Sequence, residues 1–475
     1  MSVDRRTFLK GAAVAAGVAV TGSTGILLSR SADARRGRRW VPPDWTARNR
    51  LFIPPVVDLA DLTEPYQLEA AAATLNFGPS SGLAWVYNGV FPGPTLLARK
   101  GDSAQLKLLN KLAEDTIIHW HGMVVDHPND GHPKQIVGTG GVYDYSFPIV
   151  QRAALNWYHP HPDMLTGEQA AMGLAGGFIL RDDEEDALGL PASRPPATGF
   201  PAPASGYEVP LVIRDSDFDN AGNLKHSESG AISMVNGTID PYLPVDRALY
   251  RFRILGGFHT ARVARIALSH GLTFTLIGND GGLLPEPVDV SEILVSSGER
   301  VDVLVDFRRV ERGTEVLLRD VDAGRDVLGF QVLWSFGDDS QPPEVLPSIT
   351  PLSSPVRTRT FTFDGMSRIN GLVYDISRID FQVPFGDTEL WSFTTGGTGP
   401  HPVHVHGASF QVVSRTGGRG QVYPWERGWK DTVLLLDNET VDVLIRFDAY
   451  RGEYLIHCHR MQHEDRGMMS NFEVV

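Results

Sequence analysis

The sequence is poor in cysteine: its 475 residues contain one, Cys458. A single cysteine excludes an intramolecular disulfide framework. Charged residues make up only 21% of the chain and sum to a formal charge of −14, which excludes nucleic acid or an anionic lipid surface as the main partner. No membrane-length apolar run follows residue 34, so no spanning helix is expected once the leader is removed. Long helical periodicity is scarce, and the nine methionines form no run. What the chain has in quantity is Gly (49) and Pro (32), the punctuation of many short strands joined by turns, so an all-β chain is expected.

The first residues carry a different signal. Asp4-Arg5-Arg6-Thr7-Phe8-Leu9-Lys10 precedes a mildly apolar stretch, Gly11 to Leu28, and then Ala32-Asp33-Ala34. A charged start, an apolar run and an A-x-A site read as a cleavable export signal, with cleavage after Ala34. The Arg5-Arg6 pair resembles the twin-arginine type, which implies the twin-arginine export machinery as a partner and a periplasmic or extracellular destination. The basic run Arg35 to Arg39 reads as a solvated start of the mature chain.

Beyond the leader the chain echoes itself. Asn88-Gly89, Asn236-Gly237 and Asn370-Gly371 each open a turn followed by alternating apolar and polar residues, at offsets of 148 and 134. VDVLVDF from Val301 and VDVLIRF from Val441 repeat at an offset of 140. Pro-, Ala- and Ser-rich stretches at 191–206 and 337–355 read as linkers between the repeats. Three related β domains are expected.

Of fifteen histidines, eight fall in four H-x-H pairs: His119/His121, His159/His161, His404/His406 and His457/His459. Strand side chains alternate faces, so each pair points two imidazoles the same way. Neutral imidazole is a common metal ligand, and four such pairs argue for a metal cluster over core packing. Parity separates a second site. His401 lies an odd step from His404 and His406, and Cys458 faces away from His457 and His459. With His463 and Met468 from the following loop, His401 and Cys458 form a set of two imidazoles, a thiolate and a weak thioether, the blue-copper electron-transfer arrangement. Two H-x-H pairs lie in the first repeat and two in the third, so the cluster is expected where those domains meet. The middle domain is expected to act as spacer and wall, with room for a share in the substrate pocket. His127, His132, His226, His259 and His270 have no partner at metal spacing and are read as structural or surface residues.

The motifs HWHG (119–122), HPH (159–161), HPVHVHG (401–407) and HCHRMQHEDRGMM (457–469) together resemble the copper motifs of the multicopper oxidases, a family that includes laccases, bilirubin oxidases and bacterial cuprous oxidases. The resemblance implies three cupredoxin-like Greek-key β-sandwich domains, at 48–184, 207–336 and 356–475. It implies four copper ions. His401, Cys458, His463 and Met468 correspond to the type 1 ligands, and His119 and His404 to the type 2 ligands. His121, His159, His161, His406, His457 and His459 correspond to the ligands of the two type 3 ions. Asp130 and Glu464 match family acids that deliver protons to the cluster.

The activity so implied is one-electron oxidation of a small reducing substrate coupled to reduction of O2 to water. The absence of a methionine-rich segment, and Gly397 where some cuprous oxidases carry Asp, favour a laccase-like enzyme acting on phenols or aromatic amines. GWKDT (428–432) and HEDRGMM still resemble the cuprous and spore-coat laccase branch, so a cuprous or other metal-ion oxidase in copper tolerance is the alternative. A non-enzymatic exported scaffold and a copper-storage protein are further readings from other classes. Mass spectrometry of the exported protein is expected to find Arg35 at its N-terminus; a chain retaining residues 1–34 would contradict the leader reading.

Overall fold

The computed structural model describes residues 48–191, 207–333, 340–397 and 399–475. The expected leader (1–34) and all but the first residue of the 191–206 linker lie outside them. Residues 340–355 of the second expected linker carry no strand or helix. Strands dominate, and helices are confined to short pieces such as Thr166–Ala171, Asp183–Asp186 and Met461–Glu464. Among the described residues no helix is long and apolar enough to cross a membrane.

The sheets come in three pairs, and one strand motif recurs in each. A strand runs parallel to a second, and that second runs antiparallel to a third. The trios are Tyr66–Asn76, Ser103–Asn110 and Val142–Pro148; Glu208–Phe218, Leu249–Gly256 and Arg300–Asp306; and Arg357–Asp364, Thr388–Thr395 and Glu439–Arg446. The VDVL echo falls on the last strand of the second and third trios.

The Asn-Gly turns repeat as well. Asn88, Asn236 and Asn370 have φ of 53°, 47° and 53°, and the glycines after them are also positive, as the tight hairpin turn demands. Each asparagine side chain is bound the same way. Asn88 Oδ1 accepts from Glu69 N at 2.6 Å, Asn236 Oδ1 from Val212 N at 2.8 Å, and Asn370 Oδ1 from Thr362 N at 2.7 Å. Each Nδ2 donates to a carbonyl two residues earlier: Gln67, Pro210 and Thr360. A side chain that clamps its own turn to the first strand of its trio explains why the pair recurs.

Three apolar cores lie between the paired sheets. A further apolar cluster joins Leu155, Trp157 and Ile179 of the first pair, Val212 and Leu255 of the second, and Met461 of the third. Strand Asn49–Arg50, at the start of the segment assigned to the first domain, adds in parallel to Pro241–Val245 of the second pair.

Two strand pairings position the histidines. Ile118–His121 lies antiparallel to Leu155–Pro160 with His119 opposite His159. His401–Val405 lies antiparallel to Gly452–Cys458 with His404 opposite His457 and Val403 opposite Cys458. The two registers set H-x-H against H-x-H in both sheets, so each presents four imidazoles toward the other.

Candidate metal centre

The thiol site is a triangle. Cys458 Sγ lies 3.5 Å from His401 Nδ1 and 3.6 Å from His463 Nδ1, and the two nitrogens are 3.3 Å apart. All three residues are buried. An ion bound tetrahedrally, about 2.0–2.1 Å from nitrogen and about 2.3 Å from sulfur, sets nitrogens about 3.3 Å apart and sulfur about 3.6 Å from nitrogen. The triangle has those dimensions. Burial pushes the Cys458 thiol up to about 12, so the thiolate forms on cation binding, with release of a proton. Met468 is fully buried; its N–H donates to the His463 carbonyl at 2.9 Å and its carbonyl accepts from Cys458 N at 3.1 Å.

The eight paired histidines fall into three groups. His121, His159 and His459 form one triad, and His161, His406 and His457 form another. His119 and His404 face each other between them. The facing nitrogens lie 3.4 Å apart for His119 and His404, 3.4 Å for His159 and His459, and 3.1 Å for His406 and His457. Each group draws residues from both the first and the third sheet pair. Burial, reinforced by neighbouring imidazoles, holds His119, His121, His159, His406 and His459 well below the ordinary histidine range; burial and His404 do the same for His457. The rings are neutral, and a neutral ring has a lone pair to give. His121 Nδ1 and His161 Nε2 are buried without a hydrogen-bond partner, as expected of nitrogens that face an ion.

Metal-binding histidines characteristically donate their second N–H to a carbonyl or carboxylate, which fixes the ring. Here two aspartates do this reciprocally. The Asp130 carbonyl accepts from His119 Nδ1 at 2.6 Å, and its carboxylate accepts from His406 Nδ1 at 2.7 Å. The Asp431 carbonyl accepts from His404 Nδ1 at 2.9 Å, and its carboxylate accepts from His121 Nε2 at 3.1 Å. Each aspartate therefore holds one histidine of its own sheet pair by the backbone and one of the opposite pair by the side chain. The rings so held stack across the interface: His119 on His406 at 3.8 Å and His121 on His404 at 3.7 Å between centroids.

Of the two acids singled out in the sequence, Asp130 thus touches the cluster directly. Glu464 lies 3.2 Å from His457 Nδ1 and 3.6 Å from His161 Nδ1. Burial raises both carboxyls above their ordinary range.

The middle sheet pair is more than a spacer. His459 Nδ1 lies 3.1 Å from Ser297 Oγ. At Gly298, φ is +83° and a Cβ would stand 3.0 Å from His121 and 3.1 Å from His459, so only glycine lets this loop close on the cluster. Arg300 is fully buried. It donates to Asp431 Oδ1 at 2.7 Å, to the carbonyls of Leu155 at 3.0 Å and Gly298 at 2.8 Å, and with its second terminal nitrogen to Asp431 Oδ2. Burial pushes the Asp431 carboxyl up, but Arg300 and His404 together more than offset this, and the group sits below the ordinary range. None of Ser297, Gly298, Arg300 or Asp431 belongs to a sequence motif of the cluster, although Asp431 stands in GWKDT.

Two of the histidines set aside in the sequence are buried: His132 is bound to Asn471 at 3.0 Å, and His259 to Ser227 at 3.0 Å. His127 donates to the Glu453 carbonyl, and His270 is exposed.

Because Arg300 neutralises Asp431 in a desolvated site, Arg300→Met is expected to lower the unfolding free energy by about 3–5 kcal/mol. Its metal content is expected to fall through loss at the His121 group. Denaturant unfolding and elemental analysis check both. A loss below about 1 kcal/mol is what a solvent-screened pair would give, and would contradict the geometry.

Residues 70–185 and 342–475 each match the multicopper oxidase family. The chain is similar to the crystal structure of McoA multicopper oxidase from the hyperthermophile Aquifex aeolicus, with TM-score 0.80 and 33% identity, covering 90% of this chain and 99% of that one. It is 29% identical to a laccase of Bacillus subtilis over 82% of this chain and 90% of the laccase. It is also 28% identical to the cell division protein FtsP of Escherichia coli, over 94% of this chain and 93% of FtsP. The chain belongs to the multicopper oxidases, copper-dependent oxidoreductases of cupredoxin-like fold that use O2.

Proposed function

We propose that the chain is a laccase-like oxidase that takes single electrons from phenols or aromatic amines at the thiol site and uses four of them to reduce O2 to two waters at the histidine cluster. One observation carries the reading. The donors divide into a Cys–His site and an all-imidazole site, and the tripeptide His457-Cys458-His459 belongs to both. Chelation or storage needs no such division, whereas electron transfer does. In this reading His401, Cys458, His463 and Met468 hold a type 1 copper and His119 and His404 a type 2 copper. The two triads hold the type 3 pair, giving four ions. Bound copper would supply reversible one-electron chemistry at the first site and a four-electron store at the second.

The protein's part is to position and to connect. Cys458 joins the two sites through covalent bonds to the adjacent residues His457 and His459. Forming two waters consumes four protons, and Asp130 and Glu464 are the buried carboxyls that reach the cluster without an arginine to hold them ionised. Asp431, clamped by Arg300, instead orients His121 and His404.

The likeness to FtsP favours a second reading, an exported scaffold without oxidase activity. Ten imidazoles and one thiol grouped at metal-binding separations, with Met468 also present, support the enzyme instead. Export by the twin-arginine route to the periplasm or beyond rests on residues 4–34 of the sequence alone.

Oxygen uptake by the copper-loaded mature protein tests the proposal, with a simple phenol and Cu(I) supplied in parallel. Faster uptake with the phenol, abolished in Cys458→Ser, is the expected result. A preference for Cu(I) would make the chain a metal-ion oxidase, and no uptake at full copper occupancy would return it to the scaffold reading. Asp130→Asn is expected to slow uptake at unchanged copper content, and normal uptake would remove Asp130 from proton delivery.

A further inference from the structure

The edge of the thiol site that faces away from the cluster is built by one short segment. Arg460, His463 and Arg466 follow at three-residue spacing through the turn of helix Met461–Glu464. His463 directs Nδ1 to Cys458 and His401, and its Nε2 is buried without a partner. On the proposed oxidase reading, this is the end of the triangle at which an outside electron enters.

Both flanking residues are cations. Arg460 Nε lies 3.4 Å from Gln462 Oε1, and its Nη1 lies 3.7 Å from where a Cβ of Gly399 would stand, two residues before His401. Arg460 makes no ion pair among the described residues. Arg466, whose side chain is 41% exposed, reaches Met366 Sδ at 3.3 Å and pairs with Glu228 in the 226–231 segment of the second sheet pair. The neighbouring acids turn elsewhere. Glu464 faces His457 and His161, Asp465 accepts from Gly167 N at 3.0 Å, and Asp437 accepts from Gly399 N at 2.8 Å. Arg460 and Arg466 are the cations that act on His463, while Asp437 acts on His401 and Glu228 on Arg460 as well as Arg466.

We infer that Arg460 and Arg466 make this edge selective for reductants that carry negative charge, namely phenolates and carboxylated or sulfonated phenols, over Cu(I) and cationic aromatic amines, and that Glu228 tempers Arg466. The inference rests on the thiol site being a type 1 copper site. Its physical basis is general: fixed charge beside a reacting edge raises the local concentration and approach rate of the opposite sign, and salt removes the effect.

The test is anaerobic stopped-flow bleaching of the visible cysteine–copper band in the copper-loaded full chain. Hexacyanoferrate(II) serves as the anionic reductant and hexaammineruthenium(II) as the cationic one, each at low and high salt. Comparing the anion-to-cation rate ratio between variants cancels the intrinsic difference between the reductants. The ratio is expected to fall about threefold in Arg460→Gln and in Arg466→Gln, about tenfold in the double variant, and to rise in Glu228→Gln, with the differences collapsing at high salt. A ratio unchanged in all variants with the band intact overturns the inference and leaves the oxidase reading standing. A chain that loads copper but shows no band overturns the type 1 reading and the inference with it. Arg466 and Glu228 are exposed, so those two variants carry the test even if Arg460→Gln does not fold.

Discussion

The structure turns on one constraint: no single sheet pair supplies the eight imidazoles of the cluster. Four come from strands near residues 119 and 159 and four from strands near 404 and 457, so the site exists only when the first and third sheet pairs dock in one register. Metal–ligand distances tolerate about 0.2 Å, which is stricter than apolar contact alone enforces. The reciprocal aspartates meet that demand. Each grips its own histidine by a rigid backbone carbonyl and reaches across with its carboxylate, so a shift of one sheet pair disturbs a ring on both sides. The apolar cluster of Leu155, Val212, Leu255 and Met461 lies beneath and supplies non-directional attraction; the carboxylates supply direction.

Docking of this kind brings charge into a dry interior. Arg300, Asp431, Asp280 and Lys430 are all buried, and Lys430 meets Asp280 at 2.8 Å. Such a network is expensive to desolvate and contributes little net stability compared with apolar packing. Its return is geometric. Arg300 spends its N–H groups on Leu155 of the first pair, Gly298 and Asp280 of the second, and Asp431 of the third. One guanidinium thereby references three sheet pairs to one point beside His121. The middle repeat, which contributes no ligand, sets the frame in which the other two meet.

This explains what the sequence disclosed and what it withheld. Everything governed by strand period was legible. The H-x-H pairs project together, and His401 and Cys458 fall on the opposite parity from their neighbours. The Asn-Gly turns, whose side chains clamp the first strand of each trio, betrayed the threefold repeat. What depends on docking was not legible. The sorting of six imidazoles into triads 121/159/459 and 161/406/457 follows from contacts across as many as 338 residues, from His121 to His459. Arg300 and Ser297 sit in a repeat without metal motifs. Asp431 was visible only as part of GWKDT, with nothing local to show that its carboxylate crosses to His121. His132 and His259 looked unremarkable because burial of a lone histidine leaves no periodic trace.

A formal charge of −14 would oppose any preference for anions if net charge decided it, but net charge is the wrong measure at the thiol site. At physiological ionic strength the field of a surface charge decays over about 8 Å, so a reductant close enough to pass an electron to His463 senses mainly the groups beside it. Those are Arg460, which makes no ion pair among the described residues though Glu228 acts on it, and Arg466, paired with Glu228. The distribution is divided by task. Carboxyls gather at the cluster, where the proposed reduction of O2 would consume protons, while guanidiniums stand at the edge proposed for electron entry. A strand period of two, carrying His457 and His459 to one face and Cys458 to the other, keeps the two environments apart while leaving them adjacent in the chain.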